Sequence, residues 1–292
     1  MINLLRAEWL KMSRRPLTWI LLAIFLALFV VQAVSQTALA ALLGERPGDT
    51  ILAVQIAEWR RRVMLPGLFG AVLNHLNSLG AAFVVIFAAG MMGSEYSWGT
   101  LRAQLARHPD RTRFLLAKIM AIMLAISAAA LFNLVLGLLI GLPLAAAIGS
   151  IGEFSFADLL QIPLALLRAV YVLLPYLLLT ISWTLLGRSV LAGVAGGLGY
   201  LILEAGVGTL ALLKILGDAG TWLYNLTIGQ NINVLVLQNS HAFGLRPELQ
   251  TPLDLSTLPS PLHAVIIIAV YCVSLLATSL YLIHRRDIGG PS

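Results

Sequence analysis

Few residues in this sequence combine a reactive type with a setting where they could do chemistry. Glu204 is the sharpest case, a single carboxylate inside a run that is otherwise uncharged from Ser189 to Leu213. A carboxylate at the centre of an apolar span is costly, so it must face a bundle interior or a water-filled cavity. Two roles fit it: lining or gating a conduit, or a buried structural carboxyl hydrogen-bonded to Ser, Thr or Tyr of another span. Arg168 lies about a turn and a half into a neighbouring apolar stretch, where its long stem can carry the guanidinium outward. The expected depths of the two match poorly for an ion pair. The third feature is the polar connection over residues 94–113. There Thr100 follows Gly99 as a plausible N-cap, a short helix is expected over 101–108, and Pro109 stops it. Leu101 and Leu105 offer that helix an apolar patch flanked by Arg102, Gln104 and Arg107. Asp110 can then cap the following helix, which Arg111, Arg113 and Lys118 would anchor at the membrane surface.

Other chemistries lack their residues. A phosphate-binding P-loop needs a lysine followed by Ser or Thr, and the three lysines are followed by Met12, Ile119 and Ile215. There is no Gly-x-Ser-x-Gly elbow and no His-Glu-x-x-His. The five histidines are scattered near span ends, which argues against a metal site, and the single Cys272 excludes a disulfide framework. An intramembrane enzyme is therefore the least favoured class.

The elements that must position these residues follow from composition. Of 292 residues, 59% are hydrophobic and only 11% charged, too few charges to cover a soluble globule and too much hydrophobicity for disorder. The bilayer is the expected solvent, and nucleic acid is not an expected partner despite the net charge of +6. A span needs about 20 mostly apolar residues. Six are expected, near 17–38, 72–93, 115–141, 163–186, 190–213 and 262–283, forming one all-α integral membrane domain over 1–292 with the short helix between the second and third spans. With the N-terminus inside, 12 of the 19 basic residues fall on the inner side, which favours N-in, C-in despite Arg60, Arg61 and Arg62 outside. The first apolar run exceeds a signal-peptide core, so it reads as an uncleaved span.

Residues 1–16 form an amphipathic interfacial segment, with Ile2, Leu5, Trp9 and Met12 at helical spacing and cations available for anionic lipid. It serves as an anchor alone or also touches a cytoplasmic partner. The outer loop 214–261 holds an apolar patch at 234–237, too short to span, that is either a re-entrant or interfacial element or a strand-like loop packed on the bundle. Gly137 with Gly141, and Gly193 with Gly197, permit close helix packing and could mark a dimer seam.

The motif Gly93-Ser-Glu95-Tyr-x-Trp98-Gly99-Thr100-Leu-Arg, followed by Arg111-x-Arg113-Phe-x-x-x-Lys118, resembles the permease subunits of type-2 ABC exporters. Ala7-Glu-Trp-Leu-Lys11, Arg14-Arg15-Pro-Leu-Thr-Trp19 and Leu65-Pro-Gly67 are similar to that family as well. The resemblance covers most of residues 1–125 by motif and the remainder by span count. It implies that the 94–113 segment is a cytoplasmic coupling helix seated in a groove of a separate ATPase, with Glu95, Gly99, Thr100, Leu101, Arg102 and Leu105 at the contact. It further implies a transport subunit without catalytic residues, ATP and magnesium on the partner ATPase, a second permease chain, and a place in the bacterial inner membrane. Long, smooth spans suit an amphiphilic cargo such as a lipid, peptide or drug. The alternative class is an ATP-independent membrane scaffold or immunity protein.

Overall fold

The computed structural model describes residues 1–43, 50–101, 104, 110–208, 217, 219–220, 222–245 and 258–285. Among these, all regular structure is helical, and the one strand-like feature is an isolated bridge between Leu65 and Gly152. The helices are α1 (Ile2–Arg14), α2 (Pro16–Leu43), α3 (Thr50–Val63), α4 (Gly67–Ser97), α5 (Arg111–Ile148), α6 (Phe156–Tyr171), α7 (Leu174–Gly187), α8 (Val190–Gly208), α9 (Ile228–Ala242) and α10 (Pro261–Arg285).

Local sequence explains where they begin and end. Pro16 opens α2, where a missing N–H costs least. Asp110 caps α5 by accepting from the Arg113 N–H at 3.0 Å, as the sequence led us to expect. Ser155 and Asp158 form a reciprocal capping box at the start of α6. Gly149, at φ +92°, ends α5.

Among the described residues, five segments are long and apolar enough to cross a membrane: α2, α4, α5, the nearly continuous pair α6–α7, and α10. The fifth expected span is helix α8, apolar but shorter; residues 209–213, which were expected to complete it, lie outside the described set. Burial separates a centre from a periphery. The apolar window of α4 is 67% buried, against 17% for α2 and for α10. Helix α4 is thus the axis, and α2 and α10 present most of their apolar surface outward, as helices facing lipid would.

Small residues let the central helices approach. A Cβ at Gly93 would sit 2.6 Å from the Val190 backbone, which brings the end of α4 onto the start of α8. One at Gly197 would meet Val85 at 2.5 Å, and one at Gly141 would meet Leu68 at 2.5 Å. Both glycine pairs therefore pack inside this chain, on α4, and are not available as a seam to a second copy. The 234–237 patch is neither a strand nor a loop. It is the middle of α9, with Val234 and Leu235 buried against the bundle.

Candidate functional site

Two polar sites interrupt the apolar packing, one at each end of the bundle. The first lies where α1, α4 and α5 meet. Glu95, in the last turn of α4, is fully buried. Its partner is Lys118 of α5, only 2% exposed, whose Nζ lies 2.7 Å from Glu95 Oε1 and 2.9 Å from Glu8 Oε2 on α1. Lys11 closes the group, pairing with Glu8 and lying 3.6 Å from Glu95 Oε1. Gln104, past the end of α4, donates to Glu95 Oε1 at 3.4 Å. Two carboxylates face two ammonium groups, so the cluster is neutral overall, as burial demands. Burial by itself would push the Glu8 carboxyl up, but Lys118 and Lys11 outweigh it and hold the pKa below its ordinary value of 4.5. Beside the cluster, Arg15 donates to Ser94 Oγ at 2.7 Å and places its guanidinium 4.8 Å from the centre of the exposed Trp98 ring. The chain turns out of α4 at Gly99, φ +67°, and is helical again at Thr100 and Leu101.

The second site lies in the opposite half. Helix α8 starts beside Gly93, so Glu204, fourteen residues on, is about 21 Å further along the bundle. Among the described residues, no cation pairs with its carboxylate. The Gly229 N–H at the start of α9 donates to Oε1, Tyr200 OH donates to Oε1 at 3.2 Å, and Tyr176 OH donates to Oε2 at 3.1 Å. A carboxylate at a helix N-terminus is favoured by the unpaired N–H groups and the helix dipole there. The approach requires glycine, since a Cβ at Gly229 would lie 2.7 Å from the Glu204 carboxyl carbon. Glu204 borders a cavity of about 600 Å³ between α2, α3, α4, α8 and α9, whose polar lining includes Arg62, His75 and several amides. His75 stitches α4 to α2, with Nδ1 3.0 Å from the Gln32 side chain and Nε2 3.1 Å from the Phe25 carbonyl.

The sequence-predicted residues divide between these places. Glu204 borders a cavity and bonds to tyrosines, so the geometry accommodates both roles expected of it. Arg168 is half-buried on α6, does not line that cavity and forms no ion pair with Glu204. Of the six expected ATPase-contact residues, Glu95 and Leu101 are buried within the chain. Their side chains position the segment from beneath and do not present a surface, because Glu95 must meet its lysines and Leu101 joins the core. Gly99 and Thr100 remain accessible; Arg102 and Leu105 lie outside the described residues. Lys118, expected at the membrane surface, is instead the centre of the buried cluster. Glu8 was not singled out, although its i,i+3 spacing to Lys11 was readable; likewise the i,i+4 spacing of Tyr200 and Glu204. Among the described residues, no group of three or more His, Cys, Asp or Glu side chains is placed to hold a metal.

Residues 29–289 match the model of a family described as a protein of unknown function, DUF2705. No curated protein and no solved structure matches the chain.

Proposed function

The chain belongs to the DUF2705 family, and we propose that it is the transmembrane subunit of an ATP-driven exporter, working with a separate cytoplasmic ATPase in the manner of type-2 ABC permeases. The observation that carries this reading is the buried cluster of Glu8, Lys11, Glu95 and Lys118. It ties the last turn of α4 to the cytoplasmic end of α5 and to the amphipathic helix α1. A push on the exposed Trp98–Thr100 corner would move α1, α4 and α5 together, whereas an unanchored loop would absorb it. ATP drives such a movement only through its different affinity for the two conformations.

Six crossings complete this reading. Helix α8, 19 residues long, extends about 28 Å, close to the hydrocarbon thickness. With α8 counted as a span, N- and C-termini share the cytoplasmic side of a bacterial inner membrane and α9 lies toward the outside. One of the outer arginines that opposed this orientation, Arg62, is buried against the cavity and not at the membrane surface. ATP and magnesium belong to the partner. A second permease chain, identical or similar, supplies the other wall of the conduit, and the cargo is amphiphilic.

The test is purification of the tagged chain from its native membrane, with mass spectrometry of what accompanies it. An ATPase carrying a P-loop should copurify with the wild-type chain. Gly99→Pro, which cannot adopt φ +67°, should lose it while remaining inserted. Recovery of the wild-type chain without any ATPase ends the proposal.

A further inference from the structure

The cavity of about 600 Å³ holds hydrogen-bonding capacity that the fold does not use. Gln36 on α2, Asn77 on α4 and Asn233 on α9 all border it, and none of their amides has a hydrogen-bond partner among the described residues. Buried or half-buried amides in an apolar bundle are normally satisfied. Three from three helices converging on one cavity are not a packing accident of a single helix. By contrast, the polar groups that hold helices together each have a partner: Asn74 pairs with Ser240, His75 with Gln32 and Phe25, and Asn133 through its Nδ2 with the Val72 carbonyl, only the Asn133 Oδ1 being left over.

The charges specify what the amides would bind. Arg62 and Glu204 contribute one charge of each sign to the lining. Glu204 already accepts from two hydroxyls and a backbone N–H, so it does not call for a ligand cation. Each neutral amide offers both a donor and an acceptor, which matches the hydroxyl group, also both donor and acceptor. Aromatic and aliphatic walls, Phe29 and Tyr224 among them, suit the apolar faces of a ring. The volume lies within the usual range for a small-ligand site.

From the three unpartnered amides and the balanced charge of this cavity, we propose that it binds an uncharged polyhydroxylated group of sugar type in the outer half of the membrane. The inference rests on the permease reading for the location and for the ligand's status as cargo; the binding itself does not need the ATPase.

The experiment uses the full chain in lipid discs prepared without glycoside detergent, with no ATPase and no nucleotide present. Binding of tritiated dodecyl maltoside is measured below its micellar concentration. Dodecylphosphocholine, dodecyltrimethylammonium and dodecyl sulfate, which keep the same alkyl chain, should compete at least about tenfold more weakly. Competition by free maltose would identify the free sugar as sufficient; its failure with binding retained would assign the lipid-linked form, and both outcomes support the site. Gln36→Leu with Asn233→Leu should weaken binding at least about tenfold at unchanged thermal stability. Asn233→Gln, which keeps the chemistry, should lose much less. Equal competition by the charged amphiphiles, or wild-type binding in the double variant, overturns the proposal. A missing ATPase partner would leave this result standing, and a failed binding assay would leave the partner's capture standing.

Discussion

Glu95 and Glu204 are the same side chain in two solutions to one problem. Glu95 is fully buried and Glu204 half-buried, each near the end of a bundle helix. Glu95 is neutralised by lysines that reach it from other helices, and those lysines also serve Glu8. Glu204 has no cation among the described residues and is held by two tyrosine hydroxyls and the first turn of α9. The difference teaches what each region tolerates. An ion cluster is all-or-none, because removing one member strands opposite charges in a low-dielectric interior. A carboxylate satisfied by neutral donors degrades stepwise, and it leaves the neighbouring cavity free of a fixed counter-ion. The α1 end is built as a rigid joint, and the opposite half as a polar chamber with an adjustable wall.

Three changes would break or sharpen this contrast. The largest effect is expected from Lys118→Met, which leaves Glu8 and Glu95 facing each other with only Lys11 between them. A loss of about 3–5 kcal/mol is expected, seen as a collapse of thermal stability in detergent. Replacing Glu8 and Glu95 by Gln in the same chain should recover much of it. A Lys118→Met chain with wild-type unfolding would show that the cluster is not a joint at all.

At the other site, Glu204→Leu should cost about 1–3 kcal/mol, because a buried and a half-buried hydroxyl and the Gly229 N–H lose their acceptor. Glu204→Gln keeps size and an acceptor oxygen and should cost clearly less in the same melting assay. If Gln is as damaging as Leu, the charge itself matters at the α9 terminus and the two sites are more alike than the geometry suggests.

The smallest effect is a pH dependence at the α1 end. Glu8 has a folded-state pKa below its ordinary 4.5. Its stabilisation is therefore fully present above that value and is lost as pH falls through the lowered folded value. Melting temperatures taken from pH 7 down to pH 3 should fall less steeply in Glu8→Gln than in wild type. Parallel curves would remove Glu8 from the acid response.

Much of the architecture was legible in the residues alone. Long uncharged runs mark α2, α4, α5, α6–α7 and α10 because hydrocarbon excludes charge, a constraint that acts on each segment independently of its neighbours. Asp110 and Pro16 announced their helix starts for the same reason, since a cap or a missing N–H is a local demand. The inward orientation of Glu204 followed from cost. What the residues did not disclose is pairing at long range. Lys118 looked like a surface anchor because it sits about two turns inside a helix; only packing brings it between Glu8, 110 positions away, and Glu95, 23 positions away. The 234–237 patch was ambiguous between a re-entrant or interfacial element and a strand-like loop packed on the bundle, and the docking of α9 against α4 and α10, its N-terminus received by the Glu204 carboxylate, decided for a packed helix. Hydrophobicity and capping are written residue by residue, so sequence determines them. Which charge meets which, and which amides are left open to a cavity, depend on the relative placement of helices, and that is settled only when the whole bundle closes.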